Sequence, residues 1–147
     1  MSFSVSEAEI NSIGVEKMKG HYLAWNYFET TKSAKNTRFV SAYKSEFGTD
    51  KEVGDPVEAA YIAVYLWAAS CERAGTFDVE PVRIAAKHIS YIAPEGMVTI
   101  DGSNQHLYKS VRIGKVESTG QIKELYISPD PVRPDPYLST YSWARGL

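Results

Sequence analysis

Asp55-Pro56-Val57-Glu58-Ala59-Ala60-Tyr61 carries the strongest local signal in the chain. An Asp able to cap, a Pro at the first helical position and a Glu at the third read together as a helix start. The helix is expected to run through Val64, Tyr65, Trp67 and Ala68 to Gly75. Apolar residues surround most of its circumference, which predicts a largely buried helix. On its N-terminal side, Ser33 predicts the cap of another helix through Phe39, Val40, Tyr43 and Phe47. The spacing places three aromatics on one face, and Gly48 ends the helix. On its C-terminal side, Asp78 predicts the cap of a third helix through Val82, Ala85, Ala86 and Ile89.

Both ends of the chain read as β structure. Phe3-Ser4-Val5-Ser6 alternates apolar and polar residues as a short strand does. Ser6-Glu7-Ala8-Glu9 matches a capping box, so a short helix is expected to about Ile13, stopped at Gly14. Residues 21–28, His-Tyr-Leu-Ala-Trp-Asn-Tyr-Phe, are rich in β-formers. Residues 97–100 read as a strand followed by the turn Asp101-Gly102-Ser103-Asn104. Residues 107–116 and 121–127 read as two more strands, with Ser118-Thr119-Gly120 as the hairpin loop. The proline-rich stretch 129–137 excludes a helix and predicts an extended surface course. The mixture is α/β. With no leading βαβ unit for the first strand to join, sheet edges would stay unpaired, so the order predicts a segment of a larger fold.

With 147 residues, 44% of them hydrophobic, the chain is long enough for one compact domain. A net charge of −2 with no Lys/Arg block argues against nucleic-acid binding. Ten Tyr, five Phe and three Trp fit either an aromatic core or a ligand cleft. Cys71, the single cysteine, precludes an internal disulfide and sits in an apolar helical pattern as a small hydrophobe. The first residues show neither the basic region nor the apolar run of a signal peptide. No apolar run approaches the roughly 18 residues of a membrane span.

The sequence supports no catalytic or metal motif. His21, His88 and His106 lack partners at zinc-ligand spacing. Neither a Gly-x-Ser-x-Gly elbow nor a phosphate-binding glycine loop occurs. Glu7 and Glu9 suit the first turn of a helix for dipole reasons. No enzyme activity and no cofactor are therefore expected. Recognition has more support. In α/β sheets ligands bind beyond the carboxyl ends of strands. Ser4 and Ser6 lie at one such end, and Trp25, Asn26 and Tyr27 at another. These hydroxyls, a carboxamide and aromatic walls suit a small, neutral, polar solute. The competing reading puts Trp25 and Tyr27 in the core, with Asn26 bonded to local backbone.

Six ordered blocks carry a family resemblance. They are residues 2–10, 20–28 and 55–61, then Ala93-Pro94-Glu95-Gly96, Asn104-Gln105-His106-Leu107 and Val132-Arg133-Pro134-Asp135-Pro136-Tyr137. In this order they resemble the C-terminal part of urea- and short-chain-amide-binding proteins of the Leu/Ile/Val-binding class. The resemblance implies a type I periplasmic-binding-protein fold, with a solute held between two hinged lobes. It also implies that residues 1–147 are the C-terminal portion of a two-lobed protein whose N-terminal half is absent. Residues near 25–28 and in the late β-ribbon would be passes between the lobes. The implied role is that of a non-catalytic receptor for urea or a short amide, outside the cytoplasmic membrane, serving the membrane permease of an ABC transporter. The alternatives are an amide-sensing regulator with the same cleft, or a fragment that binds nothing alone. Ser4, Ser6, Trp25, Asn26 and Tyr27 would form part of the ligand site, while His106 and residues 133–135 look structural. Apolar faces left without their partner half are expected to make the isolated chain self-associate or be marginally stable.

Overall fold

Two three-stranded antiparallel sheets organise the chain, and the computed structural model describes residues 1–144 of it. The first sheet has the order β1-β5-β6, from strands Tyr22–Trp25, Arg112–Val116 and Ile122–Ile127. The second has the order β2-β3-β4, from Ser90–Ala93, Gly96–Ile100 and Leu107–Tyr108. Helices α1 (Glu7–Ile13) and α2 (Val15–Met18) precede β1, while α3 (Ala34–Phe47), α4 (Asp55–Ala74) and α5 (Val79–Ala85) lie between β1 and β2. The chain therefore leaves the first sheet after Trp25, builds three helices and the second sheet, and returns at Arg112.

Local chemistry accounts for most helix ends. The Glu9 carboxylate accepts from the Ser6 backbone N–H at 2.7 Å, completing a capping box on α1. Ser33 Oγ accepts from the Asn36 N–H at 2.9 Å at the start of α3. Gly75 closes α4 in the left-handed conformation, φ 68°, which suits a residue without Cβ.

Three cores hold the elements. Ile10, Met18, Leu23, Phe28, Val116 and Ile122 pack α1 and α2 onto the first sheet. Ile62, Leu66, Ile89, Ala93, Val98 and Ile100 pack α4 onto the second. Tyr27, Phe39 and Val53 fill the space between α3 and the start of α4, with Phe39 and Tyr61 ring centroids 4.5 Å apart. Each large aliphatic side chain so buried contributes about 1.5–3 kcal/mol.

The structure corrects the sequence reading at several points. Residues 3–6 form no strand: Ser2 alone makes a parallel bridge to Leu23. Gly54, not Asp55, is the N-cap of α4, because the Asp55 carboxylate is taken by backbone N–H groups of residues 26 and 27. α4 is buried along one stripe only, Glu58-Ile62-Leu66-Ser70, and Val64, Tyr65 and Trp67 stand 62%, 44% and 54% exposed. The second sheet and α5 lie against its length, and α3 meets its first turns through Phe39 and Tyr61. Residues 107–116 are not one strand: residues 109–111 pass between sheets, and β4 and β5 lie on either side. β2 went unread, because α5 ends at Ala85 rather than at Ile89, which bonds in a turn to Ala86 O.

Candidate functional site

The two crossings between the sheets meet and are bonded to each other. The outgoing one starts at Asn26, whose side-chain amide donates to Ser110 O on the returning one at 2.8 Å. Arg112, at the first residue of β5, is 3% exposed and donates in three directions. Its guanidinium reaches Asn26 O at 2.8 Å, Glu95 O at 2.7 Å and the Glu124 carboxylate at 2.7 Å. A planar fork with five donors suits such a node better than an ammonium would. From the other side, Asp55 Oδ1 accepts from the Asn26 N–H at 3.1 Å and the Tyr27 N–H at 2.9 Å.

Carboxylates crowd this junction. Glu58 is fully buried and Glu95 is 4% exposed. Lys109 Nζ lies 2.9 Å from Glu95 Oε1 and 3.9 Å from Glu58 Oε2. These are charge contacts, and none of Glu58 Oε2, Glu95 Oε1 and Glu95 Oε2 receives a well-directed hydrogen bond among the described residues. Burial, followed by the Glu95 charge, pushes Glu58 up to about 8, against the pull of Lys109. Burial likewise pushes Glu95 up to about 7.

A second acidic group lies on the side of the junction facing α1. The buried Glu7 accepts from the Glu29 N–H at 2.7 Å, while burial pushes its carboxyl up to about 7. Glu29 in turn pairs with Lys44 and accepts from the Val53 N–H at 2.8 Å. Glu7, Glu29, Lys44 and Glu52 border a cavity of about 280 Å³ against the β5–β6 hairpin tip. Among the described residues, no group of histidines, cysteines and carboxylates has a metal-binding arrangement.

The five residues singled out from sequence fall around the start of α4, in different settings. Ser4 is exposed, on the chain just ahead of α1. Ser6 is buried, and its hydroxyl donates to Glu9 at 2.6 Å. A Cβ on Gly54 would come within 2.7 Å of Ser6 Oγ, so glycine allows α1 and α4 to approach this closely. The half-buried Trp25 donates its indole N–H to Val5 O at 2.6 Å. Asn26 sits between the crossings. Tyr27 is fully buried, and its phenol donates to Asn36 Oδ1 at 2.7 Å. The structure thus brings Ser6, Trp25, Asn26 and Tyr27 to one region through internal bonds, and leaves Ser4 beside it in solvent.

Sequence reasoning passed over Asp55, Glu58, Glu95, Lys109 and Arg112 as junction residues, reading the first two as helix-start chemistry. One signal was available. Glu58 stands four residues ahead of Ile62 and eight ahead of Leu66, so it continues an apolar stripe. A carboxylate there enters the core. Nothing local marks Arg112, whose partners come from elsewhere in the chain.

Comparison with known proteins places this arrangement. A solute-binding protein of an ABC transporter from Rhodopseudomonas palustris HaA2, solved with p-hydroxybenzoic acid, is 26% identical with a TM-score of 0.77. The match covers 93% of this chain and 38% of that one. A second, from Rhodopseudomonas palustris BisB5 with 3,4-dihydroxybenzoic acid, is 28% identical with a TM-score of 0.75, over 84% of this chain and 34% of that one. A leucine-binding protein from Thermotoga maritima is 26% identical with a TM-score of 0.68, over 81% and 33% of the two chains. The chain spans about a third of the length of each. Among curated proteins, a limonene hydroxylase from Geobacillus stearothermophilus is 24% identical over 86% of this chain and 23% of its own length. The family model described as a periplasmic binding protein domain matches residues 1–143. The chain belongs to the periplasmic-binding-protein domain family, and its fold is that of the solute-binding proteins of ABC transporters.

Proposed function

We propose that this chain is part of the extracytoplasmic solute receptor of an ABC transporter, that it takes urea or a short-chain amide, and that it delivers the solute to a membrane permease without catalysing a reaction. The observation that carries the receptor reading is the likeness, at 26–28% identity and over more than four-fifths of the chain, to solute-binding proteins. The urea or amide preference is supported by the six ordered sequence blocks. The bonded crossings support a hinge: the core of the first sheet and that of the second have no buried residue in common, and the crossings between them are tied by polar bonds. In this reading the two sheets belong to different lobes, and residues 26–33 and 109–111 are passes between them. Ser4 and the exposed edges of Trp25 and Asn26 meet the solute, with Ser6 and Tyr27 shaping that wall. The rest of the site belongs to the remaining two-thirds of the receptor length.

Isothermal calorimetry with urea, acetamide, 4-hydroxybenzoate and leucine tests this, on the 147-residue chain and on a longer chain completing both lobes. Saturable binding of urea or acetamide is expected for the longer chain, and far weaker binding for the shorter. A second reading, an aromatic acid as solute, has the bound ligands of two solved relatives in its favour. Saturable binding of 4-hydroxybenzoate with no response to amides would establish it and overturn the first. No binding of any of the four would remove the receptor reading for these solutes.

A further inference from the structure

We infer that Glu58, Glu95 and Lys109 form a proton-operated latch on the junction: one proton held between the two carboxyls keeps α4, the β2–β3 turn and the returning crossing together, and its loss loosens them. Each member comes from a different part of the fold. Glu58 is on α4, Glu95 is in the turn between β2 and β3, and Lys109 begins the segment that returns to the first sheet. The Glu58 and Glu95 side chains are 0% and 1% exposed, and Lys109 is 14% exposed. Two carboxylates share one ammonium, and three of their four oxygens receive no directed hydrogen bond among the described residues. The fourth, Glu58 Oε1, faces the Glu95 N–H at a long 3.4 Å.

The surrounding charges make a proton the neutral solution. With both acids ionised the cluster carries an excess negative charge in a site closed to water, and such charge is strongly disfavoured. Asp55, one turn earlier on α4, adds to the repulsion on both acids. Arg112 directs its three donating positions to Asn26 O, Glu95 O and Glu124; its charge, like that of Lys109, pulls Glu95 down, but burial outweighs both. Tyr27, on the outgoing crossing, donates its phenol to Asn36 and is unavailable as a donor here. The directions of shift agree with this geometry: Glu58 rises to about 8 and Glu95 to about 7, burial leading in both. They are best taken as one coupled pair titrating across that window. When the proton leaves to solvent, Glu58 and Glu95 repel across their weakest tie, and the turn and the Lys109 segment loosen from α4. The latch requires no solute and stands apart from the solute assignment.

Two measurements on the full 147-residue chain test it. Isotope-edited infrared spectroscopy of glutamate carboxyls should show a protonated carboxyl at pH about 6 that disappears by about pH 9. Amide exchange, corrected for its chemical pH dependence, should show protection at Asn26, Tyr27 and Glu95 falling as pH rises from about 4.5, by up to about tenfold per pH unit, the slope of one proton, and levelling off above about 8. Lys109→Met should move the levelling-off upward by about 1–3 pH units, and Glu95→Gln should move it downward or abolish the fall. Absence of a protonated carboxyl in the wild type, protection that ignores pH, or shifts of the same sign in the two variants would overturn the latch.

Discussion

Arg112 binds one backbone carbonyl of the outgoing crossing, one of the β2–β3 turn and one carboxylate, while itself almost wholly buried. Removing it strands all three acceptors. Arg112→Met is expected to lower the unfolding free energy by about 3–5 kcal/mol, the range for breaking a buried charged pair. Arg112→Lys should recover less than half of that, since an ammonium cannot reproduce the fork. Urea unfolding reads both, and a loss under about 1 kcal/mol for the methionine variant would mean that water replaces the guanidinium. Tyr27 makes a simpler case. Tyr27→Phe leaves Asn36 Oδ1 without its phenol donor, and a cost of about 1–3 kcal/mol is expected. Glu7 carries the pH dependence on the α1 side. Its folded carboxyl titrates at about 7 against an ordinary 4.5, so the folded state holds the proton longer than the unfolded chain does. The stability it permits is full below about 4.5 and is lost as pH rises through about 7. Glu7→Gln should therefore flatten the fall of unfolding free energy with rising pH across this window. Glu58 and Glu95 act with the same sign, so some slope should remain. An unchanged slope would remove Glu7 from the account.

At the scale of elements, the β5–β6 hairpin owes its position to absent side-chain volume. β5 carries a register shift between Ile113 and Gly114, where it passes over Phe28. A Cβ on Gly114 would overlap the Ile122 Cγ2 methyl and lie 2.9 Å from Phe28 Cε2. Space sets this requirement, not backbone strain. Gly114→Ala is expected to cost about 1–3 kcal/mol as the core yields, measured as a lowered thermal midpoint with the hairpin amides most exposed to exchange. A variant as stable as the wild type would show that Phe28 can turn aside. α4 shows the converse, an element whose local start signal is redirected by its neighbours. Asp55 and Glu58 were legible as helix-start residues. Both carboxylates instead turn inward, to the crossing backbone and to Glu95.

At the scale of the whole molecule, apolar side chains stand exposed on a chain that covers about a third of its relatives' length. Val64, Tyr65 and Trp67 on α4 stand out of the core, and Trp67 stacks on the exposed Phe77 at 6.0 Å. Leu125, Tyr126 and Ile127 lie about half exposed along β6, at the edge of its sheet. Contiguous apolar surface on an unpaired edge promotes association. Sedimentation velocity is expected to show mass rising with concentration, and Val64→Glu with Trp67→Glu should suppress the rise. A monomer at every concentration would contradict this reading of the surface.

The sequence by itself determined the α/β class, the starts and stops of α1, α3 and α4 to within a residue, and the hairpin at residues 118–120. Capping boxes, Ser33, Gly48, Gly75 and Gly120 act on backbone groups a few residues away, so neighbours in sequence suffice to read them. The tertiary structure alone decided that residues 107–116 divide between two sheets, and that Asp55, Glu58, Glu95, Lys109 and Arg112 form one junction. The partners explain the difference. Asn26 meets Asp55 across 29 positions, Glu58 meets Glu95 across 37, and Arg112 meets Asn26 across 86. A carboxylate written for a helix start reads the same whether it ends in water or in a buried seam. Only the packing of the two crossings against α4 settles which, because burial and the nearest cation are properties of the assembled fold.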